Sequence, residues 1–155
     1  MYEFGTIKAI LIAPEKGAPM IALPEVQAMA GQGLFGDRNF SQRSSSGLDK
    51  NLTLIEHEKI DEFARATGLE FTAEDARRNL VTQGIELNSL VGREFYVGAI
   101  KVEALELCEP CNLLAKRTHR QVLWGLRHRG GLRCRILSNG VIRLGDNVGL
   151  DLTRP

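Results

Sequence analysis

The chain has 155 residues, of which 43% are hydrophobic and 25% are charged, and its formal net charge at pH 7 is +1. This length suits one ordinary domain, and the composition excludes a disordered tail. The near-neutral balance gives no sign of a nucleic-acid partner or of an anionic membrane surface, although a basic stretch interrupted by apolar residues runs from Lys116 to Arg135.

Two strands and a helix are predicted in the first half of the chain. The first strand covers 5–12, where apolar and polar residues alternate poorly, so we expect both of its faces to be covered. The second strand covers 52–55 and leads into a helix at about 56–67, which Gly68 ends. Between the strands, the serine-rich segment 41–50 has no periodicity and predicts a mobile surface loop.

The middle of the chain is predicted to be rich in strands. Residues 72–75 are close to a capping box and predict a single helical turn. Short strands are then expected at 80–81, 95–97 and 100–107, because apolar and β-branched residues cluster there between turn residues.

The last third predicts a helix, a hairpin and a closing strand. The helix is expected at about 120–127. Residues 132–136 alternate between apolar and polar, and Asn139-Gly140 is typical of a type I′ turn, so we expect the chain to return as a hairpin at 141–142. A final strand is predicted at 148–152.

Several short strands with two modest helices, in no repeating strand-helix-strand order, favour a mainly β fold. We predict a closed or nearly closed β-barrel with a few peripheral helices, forming one domain over 1–155. An α+β sandwich is the alternative, and a doubly wound sheet fits the pattern least.

The cysteines provide the first candidate for chemistry. Cys108, Cys111 and Cys134 are an odd number, which disfavours a disulfide framework. No apolar run is long enough for a membrane span, and the N-terminus lacks the order of a signal peptide. We therefore expect a cytoplasmic protein with free thiols and without a membrane partner.

The segment Cys108-Glu109-Pro110-Cys111-Asn112 follows a predicted strand, where a thiol can be exposed and where nearby arginines would stabilise its thiolate. A functional thiol at Cys111 is the favoured interpretation. Three others stay open: a zinc site, for which matching ligand pairs are lacking, a thioredoxin-like redox pair, and two cysteines that only fill the core. The histidines His57, His119 and His128 are expected on the surface, and none is predicted to act as a catalytic base.

A second group of candidates lies at 77–82, in the order Arg-Arg-Asn-Leu-Val-Thr. Two guanidinium groups with neighbouring amide and hydroxyl groups suit a phosphate or a carboxylate. The alternative is that Arg77 or Arg78 forms an ion pair on the surface with Glu74, Asp75 or Asp61, which would contribute little.

Taken in order, these motifs resemble those of the MOSC family, the C-terminal part of molybdenum cofactor sulfurases. The resemblance runs from about Gly31 to Val148. The matching motifs are Gly36-Asp37-Arg38, Leu52-Thr53-Leu54-Ile55, Arg77-Arg78-Asn79-Leu80-Val81, Gly92 with Phe95 and Val97-Gly98, Cys108-Glu109-Pro110-Cys111, Gly130-Gly131-Leu132 and Gly145-Asp146.

The resemblance implies a β-barrel with peripheral helices that binds the molybdenum cofactor, the molybdopterin form. In amidoxime-reducing members the later cysteine of the motif is the molybdenum ligand, which corresponds to Cys111. The arginine–asparagine motif there lines the pterin-phosphate side, which corresponds to Arg77, Arg78 and Asn79. The candidate cofactor-binding set is completed by residues in or beside the same motifs: Thr82, Arg38 and Asn112.

Two functions follow from the resemblance, and a third from the arginines alone. An oxidoreductase would reduce N-hydroxylated small molecules with electrons from a separate donor protein. A sulfur-carrier or cofactor-delivery module would instead hold a persulfide on Cys111, received from a desulfurase. The third hypothesis is a barrel that binds some other small anion at Arg77 and Arg78.

Overall fold

The structure is a computed structural model that describes residues 4–41 and 51–150. Its strands are β1 (Phe4–Ile12), β2 (Ile21–Leu23), β3 (Glu25–Met29), β4 (Gly33–Leu34), β5 (Leu52–Glu56), β6 (Leu80–Gln83), β7 (Glu94–Val97), β8 (Ile100–Leu107), β9 (Leu132–Ile136), β10 (Gly140–Arg143) and β11 (Asn147–Gly149). Its helices are α1 (His57–Thr67), α2 (Ala73–Ala76), α3 (Asn112–Arg117) and α4 (Val122–Gly125), with a 3₁₀ helix at Leu87–Leu90.

Within the described ranges, seven strands close into a barrel. Their order is β11-β7-β8-β9-β5-β6-β1, and β11 returns to pair with β1, with Phe4 opposite Gly149. Only β5 and β6 run parallel, and α1 and α2 connect them across the outside of the barrel. The prediction of a closed β-barrel with peripheral helices is confirmed.

The hydrophobic core has two parts because the barrel wall is buried on both faces at β5 and β6. Leu54 and Leu80 face the barrel interior with the larger set of apolar side chains. Ile55 and Val81 face outward and pack beneath the helices, with Phe63 of α1 and Leu114 of α3. All five residues of β5 are consequently buried.

Several local predictions hold. Helix α1 ends at Gly68, which adopts the left-handed conformation at φ 69° and donates its N–H to the carbonyl of Ala64. Thr72 and Asp75 form the reciprocal capping box at the start of α2. In β1, only the second half is buried on both faces, since Thr6 and Lys8 are exposed.

The predicted C-terminal hairpin is wrong. Both edges of β9 are already occupied, by β5 and by β8, so β10 cannot pair with it. Instead β10 joins a separate sheet of three strands, in the order β10-β3-β4. Asn139 does not form the centre of a type I′ turn, because its φ is not positive. Its side-chain oxygen accepts the N–H of Ala30, which links the start of β10 to the turn between β3 and β4.

Three further differences concern element bounds. The helix expected at 120–127 is reduced to the single turn of α4, and a separate helix, α3, precedes it. The short strands β2, β3 and β4 were not predicted. β2 is mostly exposed, β4 has only two residues, and the alternation in β3 extends over only five residues. The loop predicted at 41–50, apart from Ser41, and the end of the strand predicted at 148–152 lie outside the described residues.

Across the two described segments, no helix combines the length and the apolar character that crossing a membrane requires.

The buried carboxyl group of Glu56 generates a test of this packing. Burial raises the pKa of Glu56 above its ordinary value of 4.5, and the hydrogen bond from the Leu87 N–H, at 3.2 Å, only partly opposes that shift. The folded state therefore holds this proton more tightly than the unfolded chain does. Its stabilising effect is fully present below pH 4.5 and is lost as the pH rises through the folded-state pKa.

We predict that Glu56→Gln, which keeps an acceptor for Leu87, gains stability relative to the natural protein as the pH rises from 4 to 7. Urea denaturation at several pH values measures the difference in the free energy of unfolding. Glu15→Gln, at an exposed position, is the control. A difference for Glu56→Gln that stays constant with pH would contradict the prediction.

Candidate functional site

The loop between β8 and α3 presents one cysteine to solvent and buries the other. Cys111 is exposed and occupies the N-cap position of α3 in an extended conformation, with φ −119° and ψ 169°, without a capping hydrogen bond from its side chain. Cys108 is buried, and its Sγ accepts a hydrogen bond from the guanidinium of Arg133 at 3.3 Å. The buried cysteine thus anchors the loop, while the other thiol remains accessible.

The guanidinium of Arg78 holds this loop in place. It is buried and donates to the carbonyl oxygens of Gly130 at 2.9 Å, Cys108 at 3.0 Å and Ala76 at 3.3 Å. One side chain therefore links the start of β6 to residues 108–111, which we call the cysteine loop, and to the segment that leads into β9. Burial lowers the pKa of Arg78, and the nearby thiols of Cys108 and Cys111 act in the opposite direction.

Two glycines allow this close approach. A Cβ at Gly130 would overlap the carbonyl oxygen of Cys108, and a Cβ at Gly131 would overlap that of Leu54. Gly131 also has a positive φ of 96°, which disfavours other residues. The Gly130-Gly131 pair is therefore needed for the backbone contacts on which the cysteine loop rests.

Cys111 lines a strongly basic cavity of about 270 Å³, which we call the basic cleft. Arginines come to it from three separate parts of the chain, and among the described residues no carboxylate lines it. The lining residues are Lys16, Gly17, Arg38, Asn39, Arg77, Arg78, Cys111, Leu113, Leu114 and Arg117.

The carboxylate of Asp37, which does not itself line the basic cleft, holds the Arg38 side chain in position. This buried carboxylate accepts the backbone N–H of Ala13 at 3.0 Å and the guanidinium of Arg38 at 3.2 Å. Arg38 in turn donates to the carbonyl oxygen of Arg77 at 3.2 Å. Arg77 occupies the left-handed region, at φ 58°, where α2 ends, and this conformation is unusual for a residue with a side chain.

The positive charges in the basic cleft repel one another. Partial burial lowers the pKa of Arg77 first, and the charges of Arg38 and Arg117 lower it further, while Asp37 acts against them. Cations held this close are stabilised by an anion between them, and guanidinium groups bind phosphate or carboxylate oxygens in pairs. The geometry therefore suits an anionic ligand with a soft centre near the thiol of Cys111.

The structure brings together four of the predicted site residues and leaves three outside. Cys111, Arg38, Arg77 and Arg78 line the basic cleft. Asn79, Thr82 and Asn112 do not line it. The ion pairs considered for Arg77 and Arg78 with Glu74, Asp75 or Asp61 are not formed; Asp61 pairs with Arg65 instead.

Asn79 and Thr82 are fully buried, which leaves no surface for a ligand. The Asn79 side chain accepts the N–H of Thr53 at 3.1 Å and donates to the carbonyl oxygen of Leu11 at 3.1 Å. Asn79 therefore ties β5 to β1 inside the wall, and its expected contact with a cofactor does not agree with this position. Asn112 is exposed on the first turn of α3, outside the cleft.

Sequence reasoning missed Lys16 and Arg117. Lys16 lies in the turn after β1, and Arg117 ends α3, where its guanidinium donates to the carbonyl oxygen of Gly17 at 3.5 Å. Neither residue belongs to a recognisable motif. The one available signal was helical spacing, because Arg117 follows Leu113 and Leu114 by about one turn.

Of the other interpretations of the cysteines, core filling fits Cys108, which is buried, and does not fit Cys111, which is exposed. Over residues 4–41 and 51–150, no group of His, Cys, Asp or Glu side chains is arranged to hold a metal ion, which argues against a zinc site there. Cys134 is buried inside the barrel, and burial raises the pKa of its thiol. All three cysteines are free.

Comparisons with known proteins agree with the fold. The family model for the MOSC domain matches residues 41–149, more than two thirds of the chain. The YuaD protein from Bacillus subtilis has a similar structure, with a TM-score of 0.80 at 16% identity over 96% of this chain and 97% of that one. Among curated protein sequences, none matches this chain.

Two structures of YiiM are also similar. The protein from Geobacillus stearothermophilus has a TM-score of 0.72 at 18% identity, covering 95% of this chain and 75% of that one. The protein from Escherichia coli has a TM-score of 0.69 at 19% identity, covering 97% and 71%.

Removing the Arg78 guanidinium should destabilise the protein strongly. We predict that Arg78→Ala lowers the free energy of unfolding by about 3–5 kcal/mol, because three buried carbonyl groups lose their donor. Arg78→Lys should recover less than half of this loss, since an ammonium group cannot reach three carbonyls in a planar fork. Urea denaturation measures both changes.

The matched control is Arg65→Ala, which removes an exposed guanidinium that pairs with Asp61 at 3.1 Å. It should change the free energy of unfolding by less than about 1 kcal/mol. Equal losses at positions 78 and 65 would show that Arg78 does not hold the loop.

Proposed function

Because this chain belongs to the MOSC domain family, which is associated with the molybdenum cofactor, we propose that it binds this cofactor in the basic cleft. We propose further that it is an oxidoreductase that reduces N-hydroxylated small molecules, with Cys111 as the molybdenum ligand. The observation that carries this proposal is the presence of an accessible thiol and several arginines in one cleft.

The donor groups of the basic cleft fit the two chemically distinct ends of the cofactor. A pterin dithiolene presents a soft metal centre, for which a cysteine thiolate is a suitable ligand. Its other end carries a phosphate, for which guanidinium groups are suitable donors. Cys111 would hold the metal end, and Arg38, Arg77 and Arg117 would hold the phosphate end.

Arg78 contributes in a different way from the other arginines. A guanidinium group has five N–H donors, and three nitrogen atoms of Arg78 already donate to backbone carbonyls. Its charge still faces the cleft, close to the thiols of Cys111 and Cys108. Arg78 therefore positions the loop that carries Cys111.

The cofactor, when bound, supplies a two-electron centre able to take an oxygen atom from an N–O bond. The net reaction consumes a hydroxylamine, two electrons and two protons, breaks the N–O bond, and yields an amine and water. The electrons would come from a separate electron-donor protein of the flavin or iron–sulfur class, and the protons from solvent.

A second candidate function uses the Cys111 thiol but involves no catalytic turnover by this protein. The exposure of Cys111 also suits a sulfur carrier, in which its thiolate would attack the terminal sulfur of a desulfurase persulfide. A persulfide would then form on Cys111, and the desulfurase cysteine would leave as a thiolate. The basic cleft would in that case receive the cofactor only during delivery.

The decisive experiment is elemental analysis of protein purified from cells that make the cofactor. We predict about one molybdenum atom per chain in the natural protein, and at least a tenfold lower content in a variant that carries both Arg38→Gln and Arg77→Gln. The reason is that each charge-assisted hydrogen bond to phosphate contributes about 1.5–3 kcal/mol. Cys111→Ala should lower N-hydroxylamine reduction by at least about 100-fold.

Two control variants keep the result interpretable. Arg65→Gln and Arg120→Gln remove exposed charges outside the basic cleft and should leave the molybdenum content unchanged. Full molybdenum content and full reductase activity in Cys111→Ala would rule out the proposal. Protein without molybdenum but with an added sulfur atom on Cys111, detected by mass spectrometry, would support the carrier function instead.

A further inference from the structure

A second cavity lies on the other side of the cysteine loop. Its volume is about 380 Å³, and it is lined by Glu109, Pro110, Leu123, Trp124 and Arg127. Pro110 lines this cavity, whereas the next residue, Cys111, lines the basic cleft. The two cavities therefore flank one short loop. We call the second one the tryptophan cleft.

Trp124 gives this cleft its chemical character. The residue is 79% exposed, the highest exposure among the large hydrophobic residues of the described segments. An indole ring in water can bury a large apolar area against a flat ligand, and stacked aromatic pairs gain about 0.5–1.5 kcal/mol beyond that burial. Leu123 and Pro110 supply further apolar surface beside it.

The helix that carries Trp124 is held closely against the protein. A Cβ at Gly125 would overlap the ring of Phe63, so α4 lies directly on α1 at this point. Val122 and Leu126, on either side of Trp124, are fully buried. The backbone beneath the indole is therefore fixed, although the ring itself is in solvent.

The charged groups at the edge of the tryptophan cleft differ in whether they are free to bind a ligand. Both carboxylate oxygens of Glu109 accept from His128, one from its backbone N–H and one from Nδ1, each at 2.7 Å. His128 adopts a left-handed conformation, at φ 61°, that allows this double contact. The guanidinium of Arg127, by contrast, has no hydrogen-bond or ion-pair partner within residues 4–41 and 51–150.

We propose that the tryptophan cleft binds the organic body of the N-hydroxylated substrate, and that it selects a planar aromatic ring bearing a carboxylate. The ring would stack on Trp124 and the carboxylate would pair with Arg127, while the N–O group would extend past Pro110 toward Cys111. This inference rests on the proposed reductase function, to which it adds a substrate class and the residues that select it.

The volume of the cleft is consistent with this assignment. Small-molecule sites in proteins occupy roughly 300–1,000 Å³, and most combine apolar walls with a few polar groups at defined positions. The tryptophan cleft meets both conditions, with the Arg127 guanidinium at its edge. An aliphatic substrate of equal size would gain the apolar contact but not the stacking.

Trp124 also provides the assay, because it is the only tryptophan of the chain. Its fluorescence should respond to ligands in protein purified without cofactor, so that binding is measured apart from turnover. The probes are 4-(hydroxyamino)benzoate, phenylhydroxylamine and cyclohexylhydroxylamine. N-acetyltryptophanamide, titrated in parallel, corrects for absorption by the probes.

We expect saturable changes in emission, with phenylhydroxylamine binding about three- to tenfold more tightly than cyclohexylhydroxylamine, as ring stacking predicts. The carboxylate should add about a further threefold, which is the strength of an exposed ion pair. Arg127→Gln should remove the carboxylate preference alone. Arg120→Gln, which removes an exposed charge outside the cleft, is the matched control and should retain it.

In the cofactor-loaded enzyme, Trp124→Ala should raise the KM for the aryl substrate about tenfold and change kcat much less, because stacking contributes equally before and during the reaction. Trp124→Phe should restore most of the affinity. Equal binding of the phenyl and cyclohexyl probes, or no emission change with any of them, would overturn the inference. So would a protein dimer in which Trp124 is already shielded from iodide quenching.

Failure of the inference can be told apart from failure of the proposed function. If the chain binds no molybdenum but its fluorescence distinguishes the probes, the tryptophan cleft is a ligand site and the reductase assignment fails. If the loaded enzyme reduces hydroxylamines without any preference for aromatic ones, the reductase assignment stands and the selection by Trp124 fails.

Discussion

The contact between the Arg78 guanidinium and three backbone carbonyls is the constraint on which the site depends. Its acceptors belong to α2, to the cysteine loop and to the segment before β9, and these segments are far apart in the chain. Hydrogen bonds from a charged donor contribute about 1.5–3 kcal/mol each, which offsets part of the cost of burying the cation. Arg133, which donates to Cys108 Sγ, and His128, which bonds Glu109, hold the same loop at other points, but among these contacts only Arg78 joins it to both α2 and the segment before β9.

The positive charges of the basic cleft repel one another, and an anionic ligand would reduce this repulsion. Burial lowers the pKa of Arg77, and the charges of Arg38 and Arg117 lower it further, while the buried carboxylate of Asp37 opposes only part of this effect. A protein under no constraint but stability would gain by replacing one of these cations. Their concentration beside Cys111 is therefore better explained by binding of an anion than by packing.

More of the barrel than of the site could be predicted from the sequence. The strands of the barrel wall were predictable because their residues are apolar on one or both faces, as in β5 and β8. The hairpin predicted at Asn139-Gly140 is wrong because turn residues do not indicate whether the neighbouring strand has an unpaired edge. Both edges of β9 are paired, with β5 and with β8. The short strands β2 and β4 depend on tertiary pairing and leave almost no local signal.

For the site, residue type identified Cys111 and the arginines as candidates, but burial decided their surroundings. Asn79 looks like a ligand in sequence because it follows two arginines, yet its side chain bonds Thr53 and Leu11 inside the wall. Arg117 is absent from every motif and lines the cleft from the end of α3, where its guanidinium donates to the carbonyl oxygen of Gly17. The central claim, that Cys111 binds molybdenum, is tested most directly by X-ray absorption at the molybdenum edge of loaded protein with selenocysteine in place of Cys111. We predict a selenium neighbour bonded to the metal, and none when Cys108 is replaced instead; a metal without a selenium neighbour at position 111 would contradict the account.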